Sequence, residues 1–168
     1  MNQLSHFDDS GASRMVDVSE KTPTHRIAVA SVEVVMQPET MTRIRDKSFA
    51  KGDVLEVARL AGIMASKKTP DLIPLCHPIA ISGVTIDFDF PSDVRLSATA
   101  TVKTTGQTGV EMEALTAASV TALTVYDMCK SIDKGISIER LQLLEKQGGK
   151  SGHFKRLDAS DDEGNSKD

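Results

Sequence analysis

Cysteine is scarce in this 168-residue chain, which contains only Cys76 and Cys129. The two lie far apart in the sequence and neither belongs to a Cys-x-x-Cys motif, so the pattern indicates neither a disulfide scaffold nor a thiolate zinc site. Cysteines without a disulfide pattern are typical of a protein from a reducing compartment. We therefore expect a fold that is stabilised by its apolar core.

Aromatic residues and an excess of positive charge are also lacking. The chain has no Trp, one Tyr and five Phe, and its formal net charge is −4. That charge comes from the acidic residues after Leu157, because the rest of the chain is neutral. Nucleic-acid binders depend on a basic surface and on stacking aromatic side chains. The composition therefore argues against a nucleic-acid partner.

No long hydrophobic run is present. No window approaches the ~20 apolar residues of a membrane-spanning helix, and the first residues contain neither the basic nor the apolar stretch of a secretory signal. We therefore expect no membrane partner and a cytoplasmic location. A length of 168 residues with 39% hydrophobic residues favours one globular domain.

Four segments have the pattern of β-strands. A run of β-branched residues predicts a buried strand over 26–36, and alternation of apolar and polar residues predicts strands over 84–90 and 94–103. We interpret Pro91-Ser92-Asp93 between the latter two as a three-residue hairpin loop. A fourth strand over 136–143 contains a break in its alternation, which predicts a β-bulge.

Three segments have helical periodicity. A short helix begins at Pro38, and a second helix follows the N-cap residue Asp53 and ends before Thr69-Pro70. A long helix over 110–133 is rich in Ala and Leu, and Gly135 is suited to the left-handed conformation that ends a helix. The small residues of this helix allow another backbone to approach closely, which favours a contact surface for a second subunit. Alternatively, they simply reflect high helix propensity.

The element order is therefore β-α-α-β-β-α-β. This order is the ferredoxin-like split βαβ pattern of the α+β class, an antiparallel sheet with helices packed on one face and an extra helix in the first crossover. We assign residues 24–156 to this single domain. Residues 1–23 are predicted to form a partly mobile N-terminal arm, and their sequence leaves open whether the arm is pinned against a site. Residues 157–168 are predicted to form a disordered acidic tail.

The loop Thr69–Pro78 contains three prolines and places Cys76 and His77 next to each other. Prolines stiffen a backbone, which suits a loop that presents reactive groups in fixed geometry. The alternative is a rigid connector with a hydrogen-bonded histidine, and composition alone does not decide between the two. A metal site built on Cys76 and His77 is a third hypothesis, but partner ligands at zinc spacing are missing.

Charged residues interrupt the long helix. Asp127 and Lys130 are i,i+3 neighbours, a spacing that is also common in surface ion pairs. Glu113 lies nearly on the same helix face as Asp127 but ~21 Å from it along the axis. The glycine-rich stretch 147–152 can wrap N–H groups around an oxyanion. The other cations that we single out are Lys21, Arg26, Lys51, Lys146 and Lys150.

Several strings stand out by their length and order: Phe7-Asp8, Arg14–Thr22, Lys51–Leu55, Asp71–Pro78, Gly109–Thr116, Tyr126–Lys130 and Glu145–Gly152. Together they resemble the molybdenum cofactor biosynthesis protein C family, over about residues 4–155. The resemblance implies a cyclic pyranopterin monophosphate synthase. Such a lyase converts a GTP-derived 3′,8-cyclo-dihydroguanosine triphosphate into cyclic pyranopterin monophosphate and diphosphate.

The resemblance also implies the roles of individual residues. It assigns catalysis to Lys51, Asp127 and Lys130, and substrate binding to Arg26, Leu75, Cys76, His77, Glu111, Met112 and Glu113. It implies no metal ligands and no tightly bound cofactor, with Mg²⁺ accompanying the substrate triphosphate. It further implies a homohexamer, assembled as a trimer of dimers, that acts on a small-molecule substrate.

A ferredoxin-like module that binds a pterin or nucleotide without converting it is the alternative function. The co-occurrence of Lys51, Asp127 and Lys130 favours the enzyme, because binding alone has less need of an acid/base pair.

The span between Glu113 and Asp127 is too long for one GTP-sized ligand to be held at both ends. We therefore expect two subunits to share each site, with their long helices antiparallel across a two-fold axis. This expectation fails if the helix begins after Glu113 and a loop folds it back.

Overall fold

The computed structural model describes residues 10–50 and 52–157. Its elements in chain order are β1 (Thr24–Val35), α1 (Pro38–Arg45), α2 (Val54–Ser66), α3 (Thr69–Leu72), β2 (Ile81–Ser92), β3 (Arg95–Gly106), α4 (Glu111–Cys129), β4 (Ser137–Gln147) and β5 (Phe154–Lys155). The predicted order is confirmed, with α3 and β5 as additions. Lys51 lies outside the described residues, as do 1–9 and 158–168, and the predicted boundaries of arm, domain and tail stay predictions.

The five strands form one antiparallel sheet in the order β2-β3-β1-β4-β5. β3 lies between β1 and β2, as the split βαβ unit requires, and pairs with β1 over the whole length of both strands. The ferredoxin-like α+β fold is therefore confirmed. The predicted irregularity of β4 is confirmed as well, because its register against β1 shifts twice and Arg140 has a φ of 49°.

Helices α2 and α4 pack together on one face of this sheet. They cross at Gly62, where a Cβ atom would lie 2.2 Å from Thr121 Oγ1 and 2.9 Å from the Ala117 carbonyl oxygen. The small residues of α4 are fully buried in this contact and against the sheet: Ala114, Ala117, Ala118 and Ala122. Their size therefore serves packing within the chain. The interpretation of these alanines as a surface for a second subunit is wrong.

Helix α2 ends at Ser66, before Thr69-Pro70, as predicted. Thr69-Pro70 begins the additional short helix α3, since proline is well suited to a first helical turn. Two local predictions are wrong. Ser92 pairs with Arg95, so the hairpin turn consists of the two residues Asp93-Val94. Helix α4 ends at Cys129, and Gly135 does not have a positive φ.

The segment after α4 is held by the buried carboxylate of Asp133, which is 2% exposed. Its Oδ2 accepts hydrogen bonds from the Gln37 backbone N–H at 2.9 Å and from the Thr40 hydroxyl at 3.2 Å. Its Oδ1 accepts from the Gly135 N–H at 3.0 Å. The Asp133 carboxylate, rather than a left-handed conformation at Gly135, therefore fixes the chain after α4. It also links the end of α4 to the start of α1.

None of the helices in the described ranges combines the length and the apolar character needed to cross a membrane.

Candidate active site

Two adjoining cavities open beside the N-terminal end of α4. The larger has a volume of about 670 Å³ and the smaller about 430 Å³. Their walls share Lys21, Thr108, Gly109 and Glu111, so they form one continuous cleft. The walls come from the N-terminal arm, the loop after α3, the β3–α4 connection and the turn after β4. We call this cleft the α4 cleft.

The first turn of α4 supplies Glu111, Met112 and Glu113 to the α4 cleft. Glu113 is 2% exposed, and within the described part of the chain no Lys or Arg forms an ion pair with it. Burial raises the pKa of its carboxyl above the ordinary value, and the nearby Glu111 carboxylate adds to this effect. The Glu113 carboxyl is thus a buried group that a ligand with hydrogen-bond donors would stabilise.

The loop after α3 supplies Leu75, Cys76 and His77 to the same cleft. The Cys76 N–H donates to the Ile73 carbonyl at 3.1 Å, which turns the chain toward the cleft. Burial raises the pKa of the Cys76 thiol, and the Glu113 carboxylate raises it further. His77 Nε2 donates to the Val16 carbonyl at 2.8 Å, so this histidine holds the N-terminal arm against the cleft.

Arg26 at the start of β1 lies on the floor of the larger cavity. Its Nε donates to the Gly106 carbonyl at 2.9 Å, and its Nη2 to the Gln107 carbonyl at 3.2 Å. The turn after β4 crosses directly over the guanidinium, because a Cβ at Gly149 would lie 2.3 Å from Nη1. Gly149 also has a φ of 76°, so both conformation and space require glycine there.

The turn after β4 is fastened to α4 by Lys146. Its ammonium donates to the Ser151 hydroxyl at 2.8 Å and lies 3.2 Å from Glu111 Oε1. Lys150 on the same turn lines the larger cavity. This turn therefore brings the cationic Lys150 to the α4 cleft without the spacing of a P-loop.

Asp127 and Lys130 lie at the other end of α4. Their side chains are 64% and 51% exposed and form an ion pair, with Lys130 Nζ 2.6 Å from Asp127 Oδ1. The hydrogen bond to Asp127 raises the pKa of Lys130, so the lysine is an ammonium at neutral pH. Neither residue lines the α4 cleft of its own chain.

The structure therefore divides the predicted site residues into two groups. All seven predicted substrate-binding residues line the α4 cleft: Arg26, Leu75, Cys76, His77, Glu111, Met112 and Glu113. The predicted catalytic pair Asp127 and Lys130 is separate from them, and Lys51 lies outside the described residues. Helix α4 begins at Glu111, before Glu113, and continues without a break to Cys129. No loop therefore folds Glu113 back toward Asp127, which is the arrangement that would have contradicted a shared site.

Sequence reasoning did not assign the arm residues Val16 and Val18 or the connection residues Gln107 and Thr108, which also line the cleft. The arm lacks periodicity, and its sequence left open whether it was mobile or pinned against a site. Contacts between segments this distant in sequence carry no local signal.

The Cys76–His77 metal hypothesis gains no support from the geometry. Across residues 10–50 and 52–157, no group of three or more His, Cys, Asp or Glu side chains is placed to hold a metal ion.

Comparison with known proteins matches residues 15–149 to the family model described as "MoaC family". A protein of Magnetococcus marinus, named cyclic pyranopterin monophosphate synthase, is 59% identical over 97% of this chain and 100% of its own length. A protein of the same name from Brevibacillus brevis is 57% identical over 92% of this chain and 97% of its own. A third, from Thermomicrobium roseum, is 54% identical over 94% and 96%.

Proposed function

Because the chain belongs to the MoaC family, we propose that it catalyses the cyclic pyranopterin monophosphate synthase reaction of molybdenum cofactor biosynthesis. The substrate is a 3′,8-cyclo-dihydroguanosine triphosphate, and the products are cyclic pyranopterin monophosphate and diphosphate. The observation that carries the proposal is the α4 cleft, which brings together the seven described residues that the family resemblance assigns to this substrate.

The charge distribution of the cleft suits the two ends of this substrate. Lys21, Arg26 and Lys150 line the larger cavity, where cations would bind the triphosphate through charge-assisted hydrogen bonds. Glu113 lies in the smaller cavity beside Cys76, where a carboxylate oxygen would accept from the amino and N–H donors of the ring. The triphosphate and the ring therefore occupy neighbouring parts of one cleft.

The reaction needs repeated proton transfers, because the purine ring opens and closes again and a substrate hydroxyl then displaces diphosphate. Asp127 and Lys130 supply them: the carboxylate accepts protons and the ammonium donates them. Asp127 holds Lys130 charged, so this lysine begins the cycle as a proton donor. Lys51 completes the catalytic set.

Each active site is shared by two subunits. The catalytic pair is separated from the α4 cleft of its own chain by the length of α4, so the pair completes the cleft of a neighbouring chain. The enzyme is a cytoplasmic homohexamer built as a trimer of dimers.

No cofactor is tightly bound, and Mg²⁺ enters with the triphosphate, whose oxygens hold it. The wall of the larger cavity contains cations alongside Glu20 and Glu111, so it does not form a cage of carboxylates that would bind Mg²⁺ by itself.

The test is to supply the cyclised GTP derivative to the purified chain and to measure release of diphosphate together with formation of the pyranopterin. We expect stoichiometric amounts of the two products. Lys130→Ala is the control that separates this chain's activity from a contaminant. Tight binding of the substrate without any product would instead support the module that binds without converting.

A further inference from the structure

Gln107 occupies a central position that no role described above uses. It lies in the connection between β3 and α4 and lines three adjoining cavities, including the larger part of the α4 cleft. Its backbone carbonyl accepts the hydrogen bond from Arg26 Nη2 at 3.2 Å. Its side-chain Nε2 donates to the Ser19 carbonyl of the arm at 3.3 Å. One residue therefore contacts both Arg26 and the arm.

The arm segment that Gln107 holds is folded on itself. The Asp17 carboxylate accepts hydrogen bonds from the Ser19 N–H at 2.9 Å and from the Ser19 hydroxyl at 2.6 Å. The Lys21 N–H donates to the Val18 carbonyl at 2.9 Å. These local bonds make 17–21 a compact turn, so a contact at Ser19 also fixes the position of Lys21.

Two side chains connect this turn to the body of the protein. His77 bonds the arm at Val16, before the turn, and Gln107 bonds it at Ser19, within the turn. Without Gln107, residues 17–23 would be held only at Val16 and at Thr24, where β1 begins. The attachment at Ser19, between these two points, therefore determines where Lys21 lies. Lys21 lines both cavities of the α4 cleft, and Arg26 and Lys150 line the larger one with it.

We propose that Gln107 is a positioning residue for the anionic end of the substrate. Its side-chain amide fastens the arm at Ser19 so that the Lys21 ammonium faces the same cavity as the Arg26 guanidinium. The ligand chemistry is a polyphosphate chain, and the assignment of that chain to the substrate rests on the proposed function. Gln107 itself neither transfers protons nor contacts reacting atoms.

Gln107→Met tests this role, because methionine has a similar length but cannot donate a hydrogen bond. The backbone carbonyl that holds Arg26 is retained in this variant. The probe is inorganic triphosphate, whose dissociation constant is measured by calorimetry on the full chain. One neutral hydrogen bond contributes ~0.5–1.5 kcal/mol, so we expect triphosphate binding to weaken about two- to tenfold.

Two further measurements separate positioning from a merely structural role. With the cyclised GTP derivative, KM should rise by about the same factor while kcat is unchanged. Trypsin should cleave after Lys21 faster in Gln107→Met than in the wild type, with no change in melting temperature. Gln37→Met is the matched control, since Gln37 is exposed at the start of α1 and its side chain makes no capping hydrogen bond there.

The outcomes are separable from those of the proposed function. Equal triphosphate affinity in wild type and Gln107→Met overturns the inference, as does a wild type that does not bind triphosphate. A fall in kcat together with melting temperature also overturns it, because that result indicates loss of structure. If the variant binds triphosphate more weakly but the wild type makes no pyranopterin, the inference stands and the proposed reaction fails.

Discussion

At the scale of single residues, the division between binding and catalysis makes a direct prediction. Lys130→Ala and Asp127→Ala should each lower kcat by ~10²–10⁴-fold, the usual contribution of a general acid or base. Both side chains are more than half exposed, so folding should be unaffected. Steady-state kinetics measures the fall in kcat, and circular dichroism measures whether the variants fold. We expect the same of Lys51→Ala, and near-normal turnover in all three variants would contradict the assignment.

Cys76 should behave differently from the catalytic residues. Burial and the nearby Glu113 raise the pKa of its thiol, so little thiolate is present at neutral pH. Cys76→Ser should therefore retain substantial activity, because the residue contributes shape to the cleft rather than a nucleophile. The measurement is kcat/KM of the purified variant. A folded but inactive Cys76→Ser would reopen the case for covalent catalysis.

The buried carboxyl of Glu113 is expected to favour substrate binding but to lower the stability of the folded protein at high pH. Its pKa is raised by burial, so the folded state holds the proton more tightly than the unfolded state does. The stability that this contributes is present in acid and is lost as pH rises through the folded pKa. Glu113→Gln avoids that loss, so it should melt at a higher temperature than wild type at pH 8, while KM for the substrate rises.

Calorimetric melting over a range of pH tests this prediction. The difference in melting temperature should narrow as the pH falls toward the ordinary pKa of glutamate. In the proposed shared site, the Asp127–Lys130 pair of a neighbouring chain is neutral as a whole, so assembly should not reverse the direction of the difference. A difference that is the same at every pH would mean that the titration of Glu113 is not its cause, and would contradict the prediction.

At the scale of secondary-structure elements, the connection after α4 is the critical one. Asp133→Ala leaves the Gln37 N–H, the Gly135 N–H and the Thr40 hydroxyl without their acceptor. An unsatisfied buried donor costs ~1–3 kcal/mol, so the free energy of unfolding should fall by roughly 2–4 kcal/mol. Urea denaturation measures it. Asp93→Ala is the control, because that carboxylate forms an exposed ion pair with Arg45; equal losses in both variants would contradict the role of Asp133.

The secondary-structure elements also show which features could be predicted from the sequence and which could not. The strands and helices were predictable because their side chains repeat with a period of 2 or 3.6, and Asp53 was predictable as an N-cap because capping is local. The role of Asp133 was not, since its partners on α1 lie more than ninety positions away in the sequence. The alanines of α4 were misinterpreted for the same reason: only the fold places Gly62 of α2 opposite them.

The candidate site also has features that the sequence predicted and features that it could not predict. The family resemblance identified seven residues that meet in the α4 cleft, although composition alone left Cys76 and His77 undecided between a site and a rigid connector. The attachment of the arm through His77 and Gln107 had no signal in the sequence, because it joins segments more than sixty positions apart.

At the scale of the whole molecule, the length of α4 is the reason for proposing that two chains make one site. Glu113 and Asp127 lie on one unbroken helix, ~21 Å apart at ~1.5 Å per residue. The surface through which two chains meet cannot be the alanine side of α4, which is buried within the chain. Leu123 is 56% exposed one helical turn before Asp127, so this side of the helix is open to a partner. Antiparallel packing there would bring Asp127 and Lys130 of one chain to Glu113 of the other.

Complementation tests this arrangement. Glu113→Ala and Lys130→Ala chains are each expected to be inactive; mixed in equal amounts, unfolded together and refolded, they should regain activity. In a mixed dimer, one of the two sites combines an intact Glu113 with an intact Lys130. Random pairing makes half of the dimers mixed, so about a quarter of the wild-type activity should return. Each variant refolded alone is the control. If mass spectrometry finds mixed oligomers but no activity returns, both groups belong to a site within one chain, which contradicts the shared site.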